Sequence, residues 1–155
     1  MILYSLVIIA LLAPPDDAPA PAPKGGDRAK LQGTWAGKLG TQGIDVVMEV
    51  VGDKVVMTVS NPAASEQKLT IEGDYKLDES KTPRWWDFLR GKSNDGKDVP
   101  DSKSIYELNG DTLKVCNGLG RERPTEFKDA VPGSPQLIVF TRRKGTGDAP
   151  KAAPK

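Results

Sequence analysis

The chain has 155 residues, 22 basic and 21 acidic side chains, a net charge of +1, no histidine and one cysteine, Cys116. That length is one domain's worth, and the balanced charge argues against nucleic acid as a partner, since such binders carry a basic excess or stripe. Without histidine there is no Ser-His-Asp, Cys-His or His–metal arrangement, and one cysteine makes no internal disulfide, zinc knuckle or redox pair.

Residues 2–13, ILYSLVIIALLA, contain Ser5 and no charge. As a helix they reach about 18 Å, short of the ~30 Å hydrocarbon core, so residues 1–13 read as the apolar region of a signal peptide. The expectation is an exported protein, periplasmic or extracellular, with no stable membrane span after processing. Residues 14–26, PPDDAPAPAPKGG, read as a Pro/Ala-rich linker, and residues 145–155, GTGDAPKAAPK, repeat that chemistry. Both segments have almost nothing to bury and are expected to be disordered. The folded unit is then 27–144.

Within that unit the hydrophobic period is two. Thr34 to Leu39 opens the series. Ile44, Val46, Met48 and Val50 alternate with Asp45, Val47, Glu49 and Val51, and Lys54 to Ser60 resumes after Gly52-Asp53. A two-residue turn with glycine first suits a type II′ hairpin, which pairs Val50 with Val55 and puts Val55, Met57 and Val59 on the same apolar face. Lys68 to Leu77 alternates too, with Leu69, Ile71, Tyr75 and Leu77 on one side. Gly73 among them suggests a bend or bulge. Arg84 to Leu89 is a further strand whose inward face is ambiguous. Lys103 to Leu108 and Thr112 to Asn117 form a hairpin around Asn109-Gly110-Asp111. It places Tyr106, Leu108, Leu113 and Val115 inward, and Lys114 and Cys116 outward. Gln136 to Arg142 is the last strand. Eight short strands in sequence predict an all-β fold, an eight-stranded antiparallel meander closed into a barrel; a two-sheet sandwich fits the same pattern.

Three pieces carry a family resemblance: Leu31-Gln32-Gly33-Thr34-Trp35; Tyr75 to Asp78 with Ser80-Lys81 and Pro83; and Ile105 to Cys116 followed by Arg123-Pro124-Thr125-Glu126-Phe127. Together, over about residues 28–143, they resemble a small lipocalin-like domain family found mainly in planctomycete proteins. Its members are typically exported or appended to larger chains, and their function is unknown. The chain departs from that pattern in the charged stretch Leu89 to Ser102 and at Ser104, where the family usually has glycine. The resemblance implies a lipocalin-like barrel with Gly33 and Trp35 at its closed end, Trp35 lying under Arg142 or Arg143 of the last strand.

Candidate chemistry is sparse. Arg121, Glu122, Arg123 and Glu126 crowd one loop, either an anion or acid–base site or, as favoured here, a salt-bridged loop closing a barrel end. Asp87 is an acid in a strand of uncertain face and reads as a solvated outer residue. Asp95, Asp98 and Asp101 lack the spacing of a calcium loop, so no metal is expected. Cys116 has no base partner and reads as an inert thiol. Trp85-Trp86 divide by alternation, one inward and one outward. No nucleophile–base pair can be assembled, so no catalytic residue and no cofactor is expected, and the chain reads as a non-enzyme. An eight-stranded barrel either fills its interior or holds one small ligand. The expected function is a module binding a small hydrophobic ligand, with Met48, Met57, Tyr75, Trp86 and Tyr106 facing it. The alternative is a solid-core structural or protein-interaction domain tethered by the Pro-rich linker.

Overall fold

The structure is a computed structural model that describes residues 26–40, 43–63, 68–120, 122–128 and 136–144. The proposed leader (1–13), nearly all of the linker (14–26) and the tail (145–155) lie outside the described residues. Among the described residues one short helix, α1 (Asp27–Leu31), precedes nine strands: β1 (Gly33–Leu39), β2 (Ile44–Val51), β3 (Lys54–Ser60), β4 (Lys68–Asp78), β5 (Arg84–Ser93), β6 (Asp98–Val99), β7 (Ser102–Asn109), β8 (Thr112–Asn117) and β9 (Gln136–Arg142). Eight of them form one antiparallel ring in the order β1-β2-β3-β4-β5-β7-β8-β9, sealed where β9 returns to β1. The two-residue β6 hangs on β5 through Gly91 and Lys92. Closure leaves no long edge strand among the described residues, which removes the exposed pairing edge that an open meander would present.

The registers follow from turn chemistry. Val50 pairs with Val55 and Val51 with Lys54, and Gly52 takes φ +59°. Asn109 pairs with Thr112, which makes the second tight loop Gly110-Asp111, with Gly110 at φ +58°. Both glycines occupy the position where a side chain would be strained. Register shifts between Glu72 and Asp74 at Gly73, the bulge expected there. A Cβ on Gly73 or on Gly91 would come 2.5 Å from the Phe88 ring, so Phe88 fills the room that two absent side chains leave.

The ambiguity in β5 resolves in favour of Trp86 and Phe88, which are buried in the core. Trp86 stacks on Tyr75 at 5.0 Å and meets Tyr106 edge-on at 6.0 Å. Around this aromatic group lie Leu31, Trp35, Val46, Met48, Val50, Val55, Leu113 and Phe140, all buried. Alternation therefore sends Trp85 and Asp87 to the outer wall.

Cys116 corrects one expectation. It does point outward, paired with Ile105, but both are 0% exposed. Residues 118–120 and 122–128 cover them. Gly118 donates its N–H to the Lys103 carbonyl, Pro124 is buried, and the Cys116 sulfur approaches the Lys128 carbonyl at 4.0 Å. Strand alternation reveals the face of a residue but not what later chain lies across that face. A bulky maleimide is expected to label Cys116 slowly in the folded protein and fast in denaturant. Arg123→Ala, which frees the covering segment, should raise the native rate; equally fast labelling with and without denaturant would show the thiol to be open.

Candidate functional site

The two ends of the barrel are built differently. At one end α1 plugs the ring. Leu31 is wholly buried, and its carbonyl accepts the indole N–H of Trp35 at 2.8 Å. Gln32 clasps the Gly52 turn, accepting the Gly52 N–H at 2.7 Å and donating to the Gly52 carbonyl at 3.3 Å. Gly33 turns the chain at φ +112°, open to glycine and disfavoured for other residues. The Arg142 guanidinium lies 4.1 Å from the Trp35 ring centre and donates to the carbonyls of Gln32 (2.8 Å) and Lys30 and to Asp111 (3.1 Å). Of the two arginines proposed for that place, Arg142 occupies it; Arg143 is exposed and bonds through its backbone to Thr34.

The second half of this plug came from no motif. Asp27 is 4% exposed, and its Oδ2 accepts from the Tyr106 hydroxyl at 3.0 Å and from Arg84 at 2.5 Å. Its backbone N–H donates to Glu79 at 3.0 Å. A charged residue opening a five-residue helix gives no periodic signal, so only its position at the edge of the folded unit pointed to it. Burial, then the Asp27 carboxylate, pushes the Tyr106 phenol well above the ordinary tyrosine range. The sign follows. Above about pH 10 the unfolded chain loses this proton while the native state keeps it, so stability should fall by about 1.4 kcal/mol per pH unit. Ultraviolet titration should show one phenol that ionises only on unfolding, and Tyr106→Phe should remove that step.

The opposite end has no plug among the described residues. Here the apolar inward positions include Leu39 on β1, Ile44 on β2, Met57 and Val59 on β3, Leu69 and Ile71 on β4, Val99 on β6 and Ile138 on β9, and none of these is fully buried. Leu69 is 43% exposed, against 0–4% for the core around the plug. Of the five interior residues singled out from sequence, Met48, Tyr75, Trp86 and Tyr106 are committed to the buried core. Tyr75 also donates its hydroxyl to the Gly52 carbonyl at 3.0 Å. Met57 alone of the five is partly exposed. The signal that would have found the open end was the far half of each strand, away from the Gly52-Asp53 and Gly110-Asp111 turns.

The acidic and basic loop candidates lie elsewhere. Arg123 runs along the outer wall, 4.2 Å from the Trp85 ring centre and 2.6 Å from Asp87 Oδ1, and donates to the Ser104 carbonyl at 2.6 Å. That carboxylate oxygen is buried and has no aligned hydrogen-bond donor, so charge proximity to Arg123 is what compensates it. Glu126 pairs with Lys128, both well exposed, and Arg121 lies outside the described residues. The loop thus straps the barrel wall instead of closing an end. Asp95, Asp98 and Asp101 go to separate partners: Lys97, Lys92 and the Arg90 N–H. No metal-binding group of carboxylates or thiols occurs among the described residues.

Grooves open among the described residues. One of about 570 Å³ is lined by Lys54, Glu72, Asp74, Arg90 and Lys92 over the Gly73 bulge. Lys54, through a hydrogen bond, and then Arg90 hold the Asp74 carboxyl below its ordinary range. The other, about 340 Å³, lies beside Arg84, Tyr106 and Phe127 at the plugged end. No described helix is long and apolar enough to cross a membrane.

Ring closure, strand order and plug define the molecule as an up-and-down antiparallel β-barrel, an architecture compatible with a lipocalin-like module. No family model, curated protein or solved structure matches the chain.

Proposed function

We propose that this barrel is a non-catalytic, lipocalin-like module that takes a small apolar ligand through its unplugged end. The observation that carries this is the asymmetry of the inward face: buried aromatics around α1, partly exposed aliphatic side chains, Leu69 most of all, at the other end. Apolar surface left partly exposed at that end gains about 25 cal/mol for each Å² that a ligand covers. The charge-free run at residues 2–13 supports export as the setting for such a module. The resemblance carried by Leu31 to Trp35 and Ile105 to Cys116 supports kinship with the small exported family.

The test is titration of the full-length protein with N-phenyl-1-naphthylamine, a neutral fluorophore that brightens in apolar surroundings. Saturable binding near one per chain is expected. Val59→Arg at the mouth should abolish it, and Val139→Arg on the outer wall should leave it unchanged. Circular dichroism melts of both variants separate lost binding from lost fold. A structural or interaction domain is the second reading, favoured by the way Phe88 fills the space beside Gly73 and Gly91. Absence of saturable binding would select it.

A further inference from the structure

Where β5 passes the Gly73 bulge it carries one residue more than β4. Glu72 pairs with Lys92 and Asp74 with Leu89, so Gly73 alone stands opposite Arg90 and Gly91. When the first residue of such a two-against-one bulge takes the left-handed conformation, it is characteristically glycine. Here it is Arg90, at φ +53°, and Leu119 is the only other described residue besides the glycines with positive φ. The Arg90 N–H is held by Asp101 Oδ1 at 2.8 Å. Gly91 is buried, and a Cβ on it would meet Phe88 at 2.5 Å and Val99 at 2.8 Å. The extra residue breaks the alternation: Phe88 and Gly91 are buried, and Arg90 is turned outward with Lys92.

Stability does not account for an arginine in that conformation. Its guanidinium meets Asp74 Oδ2 at 2.5 Å, but Lys54 already meets Asp74 Oδ1 at 2.7 Å, and the Arg90 side chain is 80% exposed. A second exposed cation on a carboxylate that has one adds little. What Arg90 adds is charge in the groove of about 570 Å³ that it lines with Lys54, Glu72, Asp74 and Lys92. Asp74, shared by two cations, leaves one positive charge in excess on that wall. Lys92 is balanced by Asp98 at 2.7 Å. Glu72 makes no ion pair among the described residues. Glu72 and Asp74 lie two positions apart on one strand, a backbone separation of about 7 Å. The groove therefore presents an excess positive and an excess negative charge at about that spacing.

We propose that this groove binds a small zwitterion, its carboxylate on the planar fork of Arg90 beside Lys54 and its ammonium on Glu72. The site faces out from β3, β4 and β5 and does not depend on the barrel end taking an apolar ligand. The experiment follows amide NMR signals of the isotope-labelled full-length protein at pH 7 and low salt during titration with three probes of matched chain: 5-aminopentanoate, pentanoate and pentylamine. Saturable shifts confined to the surroundings of Gly73, Arg90, Gly91 and Asn94 are expected with 5-aminopentanoate. They should appear at roughly fivefold lower concentration than either singly charged probe requires, the increment of one further exposed ion pair. Glu72→Gln should erase the advantage over pentanoate. Arg90→Gly should abolish the response without lowering the melting temperature, because glycine accepts the left-handed backbone and Lys54 still holds Asp74. Equal responses to the three probes, no localised response, an advantage that survives Glu72→Gln, or binding that survives Arg90→Gly would each overturn the proposal.

Discussion

Trp35→Ala is expected to destabilise the protein by about 3–5 kcal/mol, the range for a buried aromatic cut back to Ala. The ring is wholly buried, bonds through its N–H to the Leu31 carbonyl, and carries the Arg142 guanidinium on its face. Its loss empties the floor of the barrel and unseats α1 together. Arg142→Ala should cost less, since the stacking contributes about 0.5–2 kcal/mol and the cation is partly solvated. In a double-mutant cycle the two losses should fall short of their sum, because removing either partner removes the same contact. Chemical denaturation of the four proteins supplies the numbers. Strict additivity would mean that ring and cation act independently.

Asp27→Ala should be the next most damaging change, at about 3 kcal/mol. The carboxylate takes the Tyr106 hydroxyl and the Arg84 guanidinium on one oxygen. Hydrogen bonds to a charged group contribute about 1.5–3 kcal/mol, and a buried hydroxyl left alone costs about 1–3 more. Arg84 can turn to solvent, being 43% exposed at its side chain, so it adds little to the loss. Tyr106 cannot, and Tyr106→Phe should recover part of the deficit in the Asp27→Ala background by removing the orphaned hydroxyl. A double variant no more stable than Asp27→Ala alone would show that the Tyr106 hydroxyl finds another partner.

Most of the barrel was legible because a β-strand encodes its face in a period of two. Val50 opposite Val55 and Leu108 opposite Leu113 follow from alternation and from glycines that permit only certain turns. The family resemblance puts Trp35 under Arg142 or Arg143, and the structure selects Arg142, 107 residues away in sequence but paired with Trp35 on the adjacent strand. Three things escaped that logic. Alternation left Trp85 and Trp86 interchangeable, because both neighbours are large and apolar; burial against Tyr75 decided between them. Cys116 was placed on the correct face, yet the strap that buries it is irregular chain with no period to read. The open end carries no comparable signal: large aromatic residues pack the plugged end, whereas Leu39, Ile44, Val59 and Ile71 at the other end are residues that a filled core would use equally well.

The seal between β1 and β9 has a consequence for how the chain matures. Every rung of that seam joins residues about a hundred positions apart, the kind of contact that forms late because the intervening loop must first be ordered. Synthesis proceeds from the amino end, so β1 to β8 can pair as a curled sheet before Gln136 to Arg142 exists. Until then β1 and β8 each present a row of unpaired backbone groups, and Trp35 has no cation above it. An unfinished chain is therefore adhesive in two places, and one strand silences both. Arg142, near the end of that strand, locks the floor in the same event that shuts the wall, so an intermediate with a sealed wall and a loose floor has little reason to accumulate.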